Sequence, residues 1–213
     1  EEAAAMHAHW WEHSGLAELK WLPRLNDTRR RTNLTTVTRL GWNPLTEILD
    51  EGGLSYPEVS GDSLANEIDD MLCDLSTSES TLIHSDLRAD NLLFNTVGDG
   101  VMLVDWQGCS FGPSSFDITY HMIQSLSVDD RRKHESELLD YYVNSLEFFG
   151  HQITIDEVHK LYRSSILYSL SIACAVPLIN DVEGPRVKEL AFSMASRTLA
   201  ALEDHDIDFG QRT

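Results

Sequence analysis

The chain has 213 residues, 42% of them hydrophobic and 24% charged, and a formal net charge of -19. Such a composition belongs to a folded globular chain, long enough for one sizeable core and read here as one domain over residues 1–213. The acidity argues against a nucleic-acid partner, which requires basic surface. The three cysteines, Cys73, Cys109 and Cys174, lack C-x-x-C spacing, so they suggest neither a disulfide framework nor a zinc ribbon and fit a reducing cytoplasm.

In chain order, residues 1–13 read as a helix. His9 and His13, four apart, would share a face with room for one ion, whereas His7 falls off that face; a packing helix is the alternative reading. Residues 24–39, with Arg29-Arg30-Arg31, read as a basic loop, and helices follow over 44–51 and 62–76. From Gly41 to Leu87 the chain carries Asp and Glu but neither Lys nor Arg. That run either focuses a negative field on a cationic substrate or solvates helix faces.

Thr81-Leu-Ile-His84 is strand-like, and Asn91-Leu-Leu-Phe-Asn95 forms a short strand. Gly98-Asp-Gly100 supplies a turn, and Val101-Met-Leu-Val104 returns as a second strand ending at Asp105. Helical pattern then takes over. Ser114 or Ser115 can cap a helix to about Leu126, and Ser127 starts another that ends near Phe149 before Gly150. Thr154-Ile-Asp-Glu157 is a capping box for a helix over 155–176, and Pro185 opens a last helix to about Glu203. The apolar stretch Ile166 to Ile179 contains Ser and Pro and is too short to span a bilayer, so no membrane is implied. Tyr120, His121, Tyr141, Tyr142, Tyr162 and Tyr168 read as core residues, with a substrate pocket as the alternative.

His84-Ser-Asp86-Leu-Arg-Ala-Asp-Asn91 carries the chemistry. Its spacing is that of the H-R-D-x-x-x-x-N loop of protein kinases, in which the Asp takes the substrate hydroxyl proton and the Asn binds Mg²⁺. Phosphoryl transfer asks a protein mainly for positioning and charge neutralisation, so one carboxylate faces the nucleophile while hard oxygens hold the metal. Asp86, Asn91 and Asp105 have that arrangement, with the hairpin joining the last two. Two other readings remain: a polar turn in which Asp86, Asp90 and Asn91 satisfy backbone groups, and a metal-dependent hydrolase using Asp86, Asp90 and Asp105.

Ser85 replaces the protein-kinase Arg, and Asp105-Trp-Gln replaces D-F-G. With these variants residues 81–120 resemble the aminoglycoside phosphotransferase superfamily, which includes choline and ecdysteroid kinase-like enzymes. Its loop commonly reads H-G-D-x-x-x-x-N-x-L, and its metal Asp is often followed by Trp. Gly112-Pro-Ser-Ser-Phe-Asp117-Ile matches the segment after the metal site, and Ala3 to Trp11 resembles the helix opening the C-terminal lobe. The resemblance implies an α+β, mainly helical, protein-kinase-like C-terminal lobe with a small β-hairpin carrying the catalytic and metal-binding loops. It implies Asp86 as catalytic base, Arg88 near the transferred phosphate, and Asn91 and Asp105 as Mg²⁺ ligands. Leu93 would be an apolar floor under adenine, Asp117 a buried brace, and His84 structural support. Ser85 stands where the family usually has Gly, at a position where a positive φ costs a non-glycine residue energy.

ATP and Mg²⁺ are the implied cofactors and a small-molecule hydroxyl the implied acceptor. Family members place a β-rich lobe before the helix matched at the start of this chain. No G-x-G-x-x-G or G-x-x-x-x-G-K-[ST] spacing occurs here, and Lys20 is the only Lys in the first 132 residues. The expectation is therefore a catalytic lobe, inactive alone and completed by an N-terminal lobe or another subunit. Its uncovered apolar surface near Trp10, Trp11 and Leu93 would favour homo-oligomers. The alternatives are an aminoglycoside 3′-type resistance kinase and a non-catalytic pseudokinase or binding lobe.

Overall fold

The computed structural model describes residues 1–98, 100–179 and 184–209. The chain packs into two compact units, one of residues 1–25 with 75–165, the other of residues 26–74 with 166–213. Among the described residues the fold is mainly helical with two small antiparallel sheets.

The first unit opens with α1 (Glu2–Trp10) and α2 (Ser14–Glu18). Strand β1 (Thr81–Ile83) follows, then a 3₁₀ turn (Ala89–Asn91), β2 (Leu92–Phe94), β3 (Val101–Leu103), a second 3₁₀ turn (Trp106–Gly108) and β4 (Ser110–Gly112). β2 and β3 form the hairpin, with Leu93 opposite Met102. β1 pairs instead with β4, Leu82 opposite Phe111, which closes the loop-bearing segment at its base. Phe111 also exchanges backbone bonds with Pro23 and Leu25, both 2.9 Å, while the Arg24 guanidinium lies 4.6 Å above its ring. Helices α5 (Ser115–Ser125) and α6 (Val128–Phe148) and the start of α7 (Ile155–Ile179) complete the unit. Tyr120, Tyr142 and Tyr162 are buried with Ile83, Phe116, Ile123 and Leu139 in its core, whereas Tyr141 is exposed.

Local chemistry sets the helix ends. The Ser127 hydroxyl accepts the Asp130 N–H at 3.1 Å, and Thr154 accepts that of Glu157 at 3.2 Å. Gly150, at φ 89°, ends α6 in a conformation that L side chains rarely adopt. Ser114 precedes α5 but does not cap it.

In the second unit α3 (Thr28–Glu51) packs against α8 (Pro185–Asp204), joined by most of α4 (Gly61–Leu75) and the rest of α7. A Cβ on Gly41 would lie 1.9 Å from the Cys174 carbonyl oxygen, so only glycine lets α3 approach α7 backbone to backbone. The buried Trp42 donates its indole N–H to Val59 O at 2.8 Å.

Helix α3 corrects two expectations. Most of the basic loop over 24–39 is helix, and the helix expected over 44–51 is its last part. Asp27 caps it by accepting the Arg29 N–H at 2.9 Å. Its first half escapes periodicity because its side chains pair rather than bury: Arg31 with Asp69, and Arg39 with Asp62 at 2.6 Å. Pro44, a signal for a helix start, is accommodated inside.

The first helix is also shorter than expected. Trp11 is extended and Glu12 has φ 46°, so His13 lies outside α1 and caps α2, its Nδ1 accepting the Gly15 N–H at 3.0 Å. His9 and His13 therefore do not share a helix face. Trp11 stacks on His151 with ring centroids 3.8 Å apart and donates its indole N–H to Glu79 at 2.9 Å. Helix α7 is the one helix among the described residues long and apolar enough to cross a membrane by length and composition. Within the protein 72% of that window is buried, the behaviour of a core helix.

Candidate active site

β1 delivers the chain into the loop from His84 to Asn91, and the first two residues are held from α5. The fully buried Asp117 carboxylate accepts the backbone N–H groups of His84 at 2.6 Å and Ser85 at 2.7 Å. Ser85 adopts φ 67°, the left-handed region that disfavours a side chain by roughly 1–2 kcal/mol. Those amide bonds, with a 3.0 Å contact between the Ser85 and Ser110 hydroxyls, offset that strain.

His84 ties this loop to the next one. Its Nε2 lies 2.8 Å from the Val104 carbonyl and its Nδ1 3.3 Å from the Asp86 N–H. A carbonyl only accepts and an amide N–H only donates, so the proton sits on Nε2 and Nδ1 is the acceptor. His7, which falls off the face of His9 in the sequence, is fully buried in this network. Its Nε2–H donates to Asp117 at 3.2 Å, and its Nδ1 is 2.8 Å from the Tyr142 hydroxyl. Burial raises the Tyr142 pKa far above its ordinary value, so that hydroxyl stays neutral.

Asp86 shows a division between its two oxygens. Oδ2 accepts the Asn91 side-chain N–H at 3.0 Å, and the same amide reaches the Asp86 carbonyl at 2.8 Å. With its nitrogen directed at Asp86, Asn91 presents Oδ1 on its other side. Asp86 Oδ1 lies 3.6 Å from Arg88 Nε, longer than a hydrogen bond, and the carboxylate is 31% exposed. Arg88 Nε is buried without a hydrogen-bond partner among the described residues, and its Nη1 lies 3.8 Å from the exposed Asp90 carboxylate.

The Val104 N–H donates to Asn91 O at 3.0 Å, so the hairpin ladder brings Asp105 to the residue next to that bond. Asp105 is exposed at φ 64°, and its side chain does not cap the following turn. Asn91 Oδ1 and the Asp105 carboxylate are hard oxygen donors that suit Mg²⁺. Among the described residues no group of three or more His, Cys, Asp and Glu side chains is placed to hold a metal ion. Asp86, Asp90 and Asp105 do not gather into such a group, and neither do His9 and His13 with a third ligand.

Beyond Asn91 the surface becomes apolar. Leu93 is 55% exposed and Met102 opposite it 64%. Both line an open groove of about 370 Å³ together with Phe94, Asn95, Gly100 and Val101. The structure thus joins His84, Asp86, Asn91 and Asp117 in one hydrogen-bonded set, sets Arg88 beside Asp86, and places Leu93 on the adjoining strand. His7, Ser110 and Tyr142 belong to the same set, and no local spacing signals them. Within the other unit, Asp62 and Asp69 of the acidic segment are engaged by Arg39 and Arg31.

Residues 58–152, which contain this loop, match the family model described as the ecdysteroid kinase-like family. Over 86 residues the chain is 33% identical to an uncharacterized kinase-like protein of Caenorhabditis elegans. That match covers 39% of this chain and 23% of the relative, so the chain accounts for less than a quarter of that protein. The part of the chain that bears the site is similar to kinase-like proteins.

Proposed function

We propose that this chain carries the catalytic wall of a phosphotransferase that moves the γ-phosphoryl group of ATP to a hydroxyl of a small molecule. The observation that carries the reading is the division of Asp86: Asn91 holds Oδ2, which leaves Oδ1 beside Arg88 to meet an acceptor hydroxyl. The acceptor oxygen bonds to the γ-phosphorus as the bond to the departing ADP oxygen breaks, and the hydroxyl proton passes to Asp86. Arg88 holds positive charge beside the base, where the transferred group gathers negative charge. Asn91 Oδ1 and Asp105 would hold Mg²⁺, which when bound neutralises charge on the phosphates. Leu93 and Met102 offer the apolar surface against which adenine would lie. The similarity of residues 58–152 to the ecdysteroid kinase-like family supports the same reading. A protein of this kind works in the cytoplasm, where ATP is abundant.

Mg²⁺·ATP turnover by the full-length protein bearing this chain tests the assignment. Asp105→Asn is expected to abolish Mg²⁺-dependent turnover. Asp86→Asn is expected to lower kcat by about 10²-fold or more with nucleotide affinity retained. Asp86→Asn with wild-type kcat would overturn the role of the base.

A further inference from the structure

Asp117 is only the first member of a stripe on α5. His121 and Ser125 follow it at i+4 and i+8, on the same face of the helix. The Ser125 hydroxyl oxygen accepts the Ala89 N–H at 2.9 Å. Ser125 Oγ also lies 3.3 Å from His121 Nδ1. The Ser125 oxygen accepts from Ala89, so its own hydroxyl proton is the one it can donate to His121 Nδ1. The bonds run in sequence from the Ala89 N–H to Ser125 and from the Ser125 O–H to His121. Ala89, the tethered residue, directly follows Arg88.

Along the stripe the contacts therefore follow the loop in order. Asp117 takes the amides of residues 84 and 85, and Ser125, with His121 behind it, the amide of 89. The peptide group that follows Arg88 is tethered to α5, while the Arg88 head group meets the Asp86 and Asp90 carboxylates at the longer distances of 3.6 and 3.8 Å. We propose that Ser125, oriented by His121, is a positioning residue that holds the Arg88–Ala89 peptide so that Arg88 and Asn91 stay aligned with Asp86. The tether is a property of the backbone alone; its consequence for turnover rests on the phosphotransfer reading above.

Two measurements on the full-length protein separate the parts. Hydrogen exchange of the loop amides reads the tether without any ligand. Ser125→Ala is expected to speed exchange at Ala89 about tenfold while the amides of His84 and Ser85 keep their protection, and Ser125→Thr is expected to restore it. Mg²⁺·ATP turnover reads the alignment: Ser125→Ala and His121→Ala are expected to lower kcat about tenfold with KM unchanged, and Ser125→Thr to recover most of it. Unchanged Ala89 exchange in Ser125→Ala overturns the tether. Faster exchange with undiminished kcat overturns the positioning role. A wild-type protein without Mg²⁺·ATP turnover overturns the phosphotransfer reading and the kinetic part of this proposal, and Ala89 exchange then still decides the tether.

Discussion

The loop from His84 to Asn91 and the hairpin from Leu92 to Leu103 are consecutive in one compact unit, yet they are held in opposite ways. In the loop, backbone groups are spoken for by side chains from distant elements: Asp117 and Ser125 on α5, and His84 reaching across to Val104. In the hairpin the strands hold each other, and Leu93, Phe94 and Met102 direct their side chains to solvent. Polar groups need partners with defined geometry, so a loop built from them is positioned precisely and is vulnerable at each partner. An apolar face asks only for contact, and it is available to whatever covers it. Each of the following experiments presses on one side of that difference.

The largest effect is expected at Asp117. Replacing it by Ala leaves the His84 and Ser85 amides and the His7 ring N–H without an acceptor at a fully buried site. The expected loss is about 3 kcal/mol, read as a shift in the urea midpoint at constant slope. A loss of a few tenths would mean that Asp117 acts only as an acid in the first turn of α5.

Ser85 distinguishes strain from bonding in the same loop. Ser85→Ala keeps the positive φ and loses the Ser110 hydroxyl contact, for about 1 kcal/mol. Ser85→Gly loses the same contact but relieves the strain, so it is expected to be at least as stable as the Ala variant. Ser85→Val, β-branched at a positive φ, is expected to be the worst of the three. Melting temperatures that rank Val above Gly would show that the backbone there is not strained.

Acid bears on the loop through His121. Burial lowers its pKa, against smaller upward contributions from the Leu87 backbone and Asp117. Burial lowers that of His151 as well, beside Glu79 and Glu157. In the unfolded chain both titrate near the ordinary value of about 6.5, so below it the unfolded state binds more protons than the native one. Stability is therefore expected to fall as pH drops through and below that value, and to be flat above it. Thermal melts between about pH 5 and 8 check the sign, and His121→Gln is expected to flatten the slope.

These features were unequally legible in the chain. The hairpin, the spacing from Asp86 to Asn91 and the caps at Ser127, Thr154 and Gly150 are local patterns, and the structure contains each of those elements. Ser85 was legible as a position where a positive φ would be costly, and it adopts one. The first half of α3 was not legible, because Arg31 and Arg39 are satisfied by ion pairs and leave no apolar stripe. His7, Ser110 and Ser125 were missed for another reason. What they bind is a backbone group or a side chain many residues away, and no spacing within a window encodes that.

The smallest effect on stability is expected in the hairpin, where it tells most about function. Leu93→Ser and Met102→Ser remove side chains that are more than half exposed, so each is expected to change stability by about 0.5 kcal/mol or less. If adenine lies on that face, the same substitutions remove roughly 1–2 kcal/mol of apolar contact from the complex. Mg²⁺·ATP affinity would then weaken about tenfold. Calorimetric titration and thermal melts of the full-length protein read the two quantities side by side. Weakened binding with an unmoved melting temperature is the outcome expected of a ligand surface. A melting temperature lowered by several degrees with unchanged affinity would instead show that another part of the full-length protein packs on Leu93 and Met102, and adenine would have to be placed elsewhere.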